Sequence, residues 1–434
     1  MTPKGKEMTP KGMKMIHSLS DFLNRVTDGP RRVTELRRRY RQAYGDDPTV
    51  VVSAPGRTEI IGNHTDHNNG RVVAAAITQD TLVVAGPSQT PRESTLRLLS
   101  LGWDQEFSLD LAHPDRMSHD TERLMLGVAE GLAQRDLPAP PYWGCMESRV
   151  LPGSGLSSSA ALEVALAGVH GALAGVNISP LEAALAGKYA ENTHMNKPSG
   201  LMDQLASALG GMNAIDFIDP EAPRIHRMEV DFSRTNHTLV VVHTGGSHAD
   251  LTDDYASIPR EMKAVAKALE AETLSETSRK DLLAHLSSLR AQAGDRAVLR
   301  ALHFFAEQDR VSAFADAADS RKTTELLRII NESGDSSTGL LQNITAGGAW
   351  QDQSLGLGIA LTRSYLEQRQ ATGACRVHGG GFAGTMLAII PDDLLPEYSH
   401  ALERAFGEGA VVPLEIRPQG LMAAQLAGTE DIPE

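Results

Sequence analysis

Residues 152–161 read Pro-Gly-Ser-Gly-Leu-Ser-Ser-Ser-Ala-Ala and run without a break into an alanine-rich, helix-forming stretch, 160–174. A turn that opens a helix in this way leaves unpaired backbone N–H groups at the helix N-terminus, where the helix dipole also favours negative charge. Gly153 and Gly155 allow a close backbone approach to a ligand. Ser154, Ser157, Ser158 and Ser159, around Leu156, add hydroxyls suited to phosphate oxygens or to a magnesium ion that keeps most of its water. Residues 144–150 read as the strand that feeds this turn. A strand, a glycine turn and a helix in succession call for a fold in which helices pack on a sheet. Taken alone, the same run would also serve as a flexible loop before a helix, so the rest of the chain decides between the two.

Two other nucleotide loops are excluded. A Walker A motif needs Gly-Lys followed by Ser or Thr, and the interior pair Gly187-Lys188 is followed by Tyr189. Gly379-Gly380-Gly381-Phe382-Ala383-Gly384 matches a dinucleotide fingerprint by letter, but that fingerprint must open a helix. Here it leads into Thr385-Met386-Leu387-Ala388-Ile389-Ile390, which reads as a buried strand. Glycines entering a strand serve equally as a tight turn or as a close ligand contact.

Mixed signals along the chain indicate an α+β (mixed α/β) architecture. Helices are expected at 18–27, 33–44, 121–134, 160–174, 180–192, 259–271, 278–291, 297–318 and 394–406, from apolar residues at helical spacing and from flanking breakers. Strands are expected at 49–53, ending at Ala54-Pro55-Gly56, at 71–78 and 81–85, and at 238–242. At 434 residues the chain suggests two domains. The proline-punctuated segment Asp219-Pro220-Glu221-Ala222-Pro223 marks the expected boundary, giving an N-terminal domain over 18–221 and a C-terminal one over 222–434. The near-repeat of Met1-Thr2-Pro3-Lys4-Gly5 at Met8-Thr9-Pro10-Lys11-Gly12 reads as part of a disordered extension over 1–17.

Net charge is −14, from 41 basic and 55 acidic residues, which disfavours nucleic acid and anionic membranes as partners. No segment is long and apolar enough to span a membrane, and the N-terminus lacks the apolar core of a signal peptide. Cys145 and Cys375, far apart in sequence, fit a reducing compartment rather than a disulfide scaffold. These features point to a cytoplasmic protein acting on a small molecule.

A second polar cluster, Gly56-Arg57-Thr58-Glu59-Ile60-Ile61-Gly62-Asn63-His64-Thr65-Asp66-His67, follows the first expected strand. So many hydrogen-bonding groups beside glycines suit a polyhydroxylated ligand, each of whose hydroxyls must find a partner on leaving water. The alternatives are a metal-binding His64–His67 pair and a polar turn capped by Asp66 and Asn68. Glu191 and Asp203 flank a loop that ends in Gly200-Leu201-Met202-Asp203-Gln204, where Glu191 would face magnesium and Asp203 would accept a proton or orient a hydroxyl. Each acid by itself reads equally as a surface carboxylate or a helix cap.

Together these stretches resemble the galactokinases, of the GHMP small-molecule kinase superfamily. Residues 57–68 resemble that family's sugar-binding signature and 152–161 its phosphate loop. Glu191 with 200–204 is similar to its magnesium acid and catalytic aspartate, and 379–384 to its third glycine motif. His248 and Tyr255 fit the stretch before its sugar-contacting tyrosine, and His303 lies in another similar pattern. The resemblance implies a two-domain GHMP kinase fold with the active site in the interdomain cleft, and a monomer that phosphorylates galactose with ATP and magnesium. It also implies the roles. Residues 153–159 would hold the phosphates, and Ser159 and Glu191 the magnesium. Asp203 and Arg57 would be catalytic, and Asn63, His64, Thr65, Asp66 and Tyr255 would hold the sugar.

The chain departs from the family at Asn63, usually Glu, at His67, often Tyr, at Ala383, usually Gly, and at Thr244-Gly245-Gly246-Ser247. An amide at 63 removes a negative charge, from which better tolerance of a C6 carboxylate is expected. A kinase for another hexose, such as galacturonate or an N-acetylated sugar, and a non-catalytic galactose sensor are the alternatives. The sensor would be expected to have lost part of the phosphate loop or one of the acids.

Overall fold

The computed structural model describes residues 7–8, 14–88, 94–150, 153–197, 199–245, 251–347, 351–382 and 384–426. Pro152, His248 and Ala383, singled out in the sequence, lie outside the described residues. Among the described residues no helix is long and apolar enough to cross a membrane.

Among the described residues the first sheet has ten strands and is organised by two long ones, Val50–Ile61 and Arg71–Pro87, paired antiparallel. Runs such as Val50-Val51-Val52 and Val72-Val73-Ala74-Ala75-Ala76-Ile77 are buried on both faces, because helices or further core cover each side of the sheet. The 71–87 strand was expected as two strands. It stays continuous and changes partner midway, pairing with Met212–Asp216 through 71–75 and with Tyr142–Ser148 through 81–87. The 50–61 strand runs straight through Pro55-Gly56, where it was expected to end. Its register with 71–87 shifts between Pro55 and Arg57. A bulge is where a sheet tolerates a residue without an N–H, and here it carries the strand on to Arg57 and Glu59.

Helices Ser158–Ala174, Pro180–His194 and Met202–Leu209 cover one side of this sheet. Leu19–Arg25 and Gly29–Tyr44 cover part of the other. The latter was expected only from Val33. Pro30 sits in its first turn, where the missing N–H costs no hydrogen bond.

The second sheet, among the described residues, has four antiparallel strands in the order Ala374–Val377, Gly384–Pro391, His237–Gly245, Val411–Leu414. Its two faces show a period of two. Leu239, Val241, Leu387 and Ile389 face a core shared with Ile60, Ile61 and Val73 of the first sheet. Val240, Val242, Met386 and Ala388 face helices Ser354–Gln368 and Leu395–Phe406. The two sheets therefore share one apolar core rather than meeting across a polar seam.

The 219–223 segment is not a crossover. It turns between strands Met212–Asp216 and Arg224–Met228, both in the first sheet, and the chain passes to the second sheet only after Met228. Strand Met422–Gln425 then returns to the first sheet, beside 50–61. Within 1–17, Glu7–Met8 pairs with Arg224–Met228, Ile16–His17 pairs with Met422–Gln425, and Met15 is buried in the core. Cys145 and Cys375 are both buried free thiols.

Candidate active site

A cleft of about 610 Å³ gathers residues from both sheets. Arg57, Glu59, Asn63, His64, Asp66 and His67 come from the 50–61 strand and the loop after it. Gly153, Gly155, Ser157, Ser158 and Ser159 come from the glycine turn, and Lys197, Gly200 and Asp203 from the segment before and into the 202–209 helix. Tyr255, Gly379 and Gly380 close it from the second sheet's side.

At its centre Asp203 joins three of these pieces. Arg57 donates from Nε to Asp203 Oδ1 and from Nη2 to Oδ2, each at 2.7 Å, and from Nη1 to the Gly155 carbonyl at 2.6 Å. The Ser157 hydroxyl also donates to Asp203. Burial pushes the Asp203 carboxyl upward, but the Arg57 charge and the hydrogen bonds from Arg57 and Ser157 outweigh it, and the pKa falls to about 2. Ser157 itself has φ 59°, a left-handed conformation uncommon for a serine, which points its hydroxyl back at Asp203. The helix behind it starts at Ser158 without a side-chain cap, and its first residues line the cleft.

Two residues on from Ser157, Ser159 Oγ donates to Glu191 Oε1 at 3.0 Å. Lys197 Nζ donates to the same oxygen at 2.5 Å, and Gln204 Nε2 to Oε2 at 3.1 Å. Gln204 also donates to Glu163 at 2.9 Å. Burial, and then the charge of Glu191, raise the Glu163 carboxyl well above its usual range. Magnesium is bound by one or two carboxylates plus substrate phosphates, and Glu191 with Ser159 at a phosphate-type helix N-terminus fits that donor set. Among the described residues no group of three or more His, Cys, Asp or Glu side chains is placed to hold a metal ion.

The sugar-type segment is held differently. Asn63 donates from Nδ2 to Glu59 Oε2 at 3.1 Å and to the Gly379 carbonyl at 2.7 Å, and its Oδ1 accepts from Asn343 Nδ2 at 2.7 Å. Its amide is thus fully occupied by protein groups. Glu59 is clamped by Arg376 Nη2 at 2.8 Å, and both are buried. Burial raises the Glu59 carboxyl above its usual value, against the pull of Arg376. An acidic side chain therefore stands directly behind Asn63, four residues earlier than the acid inferred to be missing.

His64 donates from Nε2 to the Gly380 carbonyl at 2.9 Å, which leaves its buried Nδ1 as an acceptor with no protein partner among the described residues. Burial lowers its pKa to about 3, so it is neutral. Asp66 packs against Gly200 so closely that a Cβ there would lie 1.7 Å from its Oδ2, which is why the 200–204 segment carries a glycine at that point. Thr65 does not line the cleft. Its hydroxyl lies 2.9 and 2.7 Å from the Gly62 and Arg71 carbonyls, either of which accepts its one proton, and closes its own loop. Tyr255 lies across Gly380, where a Cβ would meet its ring at 2.3 Å, and donates from its hydroxyl to the Gly381 carbonyl at 3.0 Å.

His303, singled out in the sequence only as part of a family-like pattern, braces this segment from the far side together with Glu307, a role the sequence reading did not assign. Glu307 accepts from the Gly62 N–H at 2.8 Å and His303 donates from Nε2 to the Asn63 carbonyl at 2.9 Å, both from helix Asp295–Asp319. His378 Nε2 lies 3.0 Å from the Thr58 hydroxyl. His303 and Glu307, spaced i and i+4, are two polar residues facing the buried side of a helix, and that was the available signal.

With this geometry in hand, the relatives of the chain are informative. Residues 38–87 match the family model of the galactokinase galactose-binding signature, and residues 123–211 that of the GHMP kinases N terminal domain. The galactokinase of Chloroflexus aggregans is 29% identical over 372 residues, covering 84% of this chain and 89% of the relative. That of Actinobacillus pleuropneumoniae serotype 3 is 27% identical over 365 residues, covering 82% and 89%. Among solved structures, Lactococcus lactis galactokinase complexed with galactose superposes with a TM-score of 0.76 at 22% identity, over 90% of this chain and 99% of that one. A mevalonate kinase superposes with a TM-score of 0.58 at 12% identity, over 85% and 99%.

Proposed function

We propose that this chain, a GHMP kinase of the galactokinase family, transfers the γ-phosphoryl group of ATP to the anomeric hydroxyl of galactose, giving galactose 1-phosphate and ADP. The observation that carries this reading is the junction at Asp203. One carboxylate is hydrogen-bonded to Arg57 of the sugar-type segment and to Ser157 of the glycine turn, and so marks the point between a sugar and a nucleotide.

In this reading the nucleotide phosphates lie on the open N-terminus of the 158–174 helix and residues 153–159. The sugar lies against His64, whose Nδ1 accepts from a hydroxyl, and against Asp66 and Tyr255. Asn63 shapes that wall through Glu59 and Asn343 rather than by reaching into it. With its carboxyl held near 2 by Arg57, Asp203 is a weak base at neutral pH. It orients the attacking hydroxyl through a hydrogen bond and receives the proton late, as the phosphorus–oxygen bond forms. A loose phosphoryl-transfer transition state needs little more than such positioning, with the charge of Arg57 nearby. Glu191 and Ser159 hold magnesium, which when bound offsets charge on the phosphates.

A sensor that binds galactose without turnover is disfavoured because both groups are intact: Arg57 and Ser157 hydrogen-bond Asp203, and Ser159 hydrogen-bonds Glu191. The test is sugar-dependent ADP release over a hexose panel. Release with galactose and little with its C4 epimer is expected, and release with no sugar at all would overturn the proposal.

A further inference from the structure

We propose that Lys197 supplies a second cation to the transferred phosphoryl group, exchanging its contact with Glu191 for one with the γ-phosphate. This inference rests on the phosphoryl-transfer reading above and adds to it a residue that the sugar and phosphate motifs do not include.

Among the described residues lining the cleft, Arg57 and Lys197 are the only arginine or lysine, against the carboxylates of Glu59, Asp66 and Asp203. Arg57 is committed, since Nε, Nη1 and Nη2 all donate to Asp203 or Gly155. Lys197 is held differently. Its ammonium has Glu191 Oε1 as its hydrogen-bond partner, and its side chain is 56% exposed while that of Glu191 is 3% exposed. Glu191 does not depend on it, because Ser159 and Gln204 still donate to the carboxylate when the ammonium leaves.

The backbone at this point is anchored. Lys197 N–H donates to the Glu191 carbonyl at 3.1 Å, and Ser199 N–H to the Lys197 carbonyl at 2.7 Å. Only the flexible side chain has to move, and a lysine stem is suited to that. A nucleotide whose phosphates lie at Ser157–Ser159 brings several negative charges next to Glu191. Glu191 and Ser159 would hold a divalent cation there, whose charge would neutralise the carboxylate in place of the ammonium. Lysine serves phosphate as a point charge, needing no fixed fork geometry. No bond is made or broken by Lys197. It balances charge that builds on the phosphoryl oxygens.

The experiment is calorimetric binding of a non-hydrolysable ATP analogue and of ADP, each with magnesium, to the wild type and to Lys197→Met and Lys197→Arg. A charge-assisted contact of about 1.5–3 kcal/mol corresponds to roughly a tenfold to hundredfold weaker analogue in Lys197→Met. ADP should change less than about threefold, and Lys197→Arg should recover most of the analogue's affinity. Equal weakening of both nucleotides, or no change in either, overturns the role of Lys197 and leaves the kinase reading standing. A wild type that binds neither nucleotide overturns both. The side chain is mostly in solvent, so the variants are expected to fold, and unchanged thermal melting checks this.

Discussion

The two halves of the cleft are built on opposite plans. On the phosphate side, the uncapped first residues of the 158–174 helix line the cleft, Ser157 is held in a left-handed conformation, and the cation Lys197 rests on one flexible contact. On the sugar side, Asn63 is saturated by Glu59, Gly379 and Asn343, and the loop is braced by His303 and Glu307. The phosphate side keeps hydrogen-bonding capacity in reserve for a charged ligand. The sugar side spends its capacity on holding its own shape, so its selectivity is set by a buried network more than by the residues at its surface. A substitution should accordingly act on chemistry on the first side and on stability and selectivity together on the second.

The largest effect separates the two sides at their junction. Asp203→Asn should lower kcat by ~10²–10⁴-fold or more while leaving affinity for an ATP analogue nearly unchanged. Activity within a few-fold of wild type would remove Asp203 from the mechanism.

On the sugar side, Asn63→Glu should set a second carboxylate against Glu59 with one arginine, Arg376, between them. Like charges at about 4 Å cost on the order of 4 kcal/mol at an effective dielectric of 20, which protonation of one acid relieves only in part. A lower urea midpoint is expected for the single variant, and recovery in Glu59→Gln/Asn63→Glu, where the acid is merely moved. A single variant as stable as wild type would show that the two positions are uncoupled. Because an acidic side chain, Glu59, stands against the Asn63 amide, galacturonate should be a poor substrate of the wild type, contrary to what Asn63 alone suggests. The ratio of kcat/KM for galacturonate to that for galactose reads this directly.

Back on the phosphate side, Ser159→Ala and Glu191→Ala should each raise the magnesium concentration for half-maximal rate, Glu191→Ala more, because magnesium relies on few protein ligands. An unchanged requirement in both would put the ion elsewhere. The smallest effect is a pH dependence. The Asp203 carboxyl, depressed to about 2 by Arg57, contributes stability that is present above its unfolded value and lost as pH falls towards 2. Arg57→Met removes that contribution. The difference in urea midpoint between wild type and variant should therefore shrink as pH is lowered from 6 to 3, and a constant difference would mean that Asp203 is not held down by Arg57.

The contrast also explains what could be read from the sequence. The phosphate side is local. Gly153, Gly155 and Ser157–Ser159 lie beside the helix they open, and Glu191 and Asp203 come a short distance later in the same layer of helices. The sugar side depends on contacts with no local trace. Arg376 reaches Glu59 across 317 positions and Asn343 reaches Asn63 across 280. For the same reason the acid lost at Asn63 was legible and its counterpart at Glu59 was not. Thr65 looked like a sugar contact because it stands between His64 and Asp66, yet its side chain serves the turn. In the fold, Pro55-Gly56 has the composition of a strand end and lies inside a strand, because a bulge absorbs the proline. Helix 202–209 and the hairpin of Thr95–Ser100 with Gln105–Asp110 escaped notice because each is too short to establish a period. The turn at 219–223 has a linker's composition and a hairpin's job, and composition alone does not separate the two.

The central claim is that the junction at Asp203 directs phosphoryl transfer to the anomeric hydroxyl. Phosphorus–proton correlation NMR of the product formed from ATP and galactose tests it most directly, with Asp203→Asn as the control. The expected result is one sugar phosphate whose phosphorus couples to the anomeric proton, absent in the variant. Phosphorus coupled to the C6 methylene protons, or ADP formed with inorganic phosphate and no sugar phosphate, would contradict it.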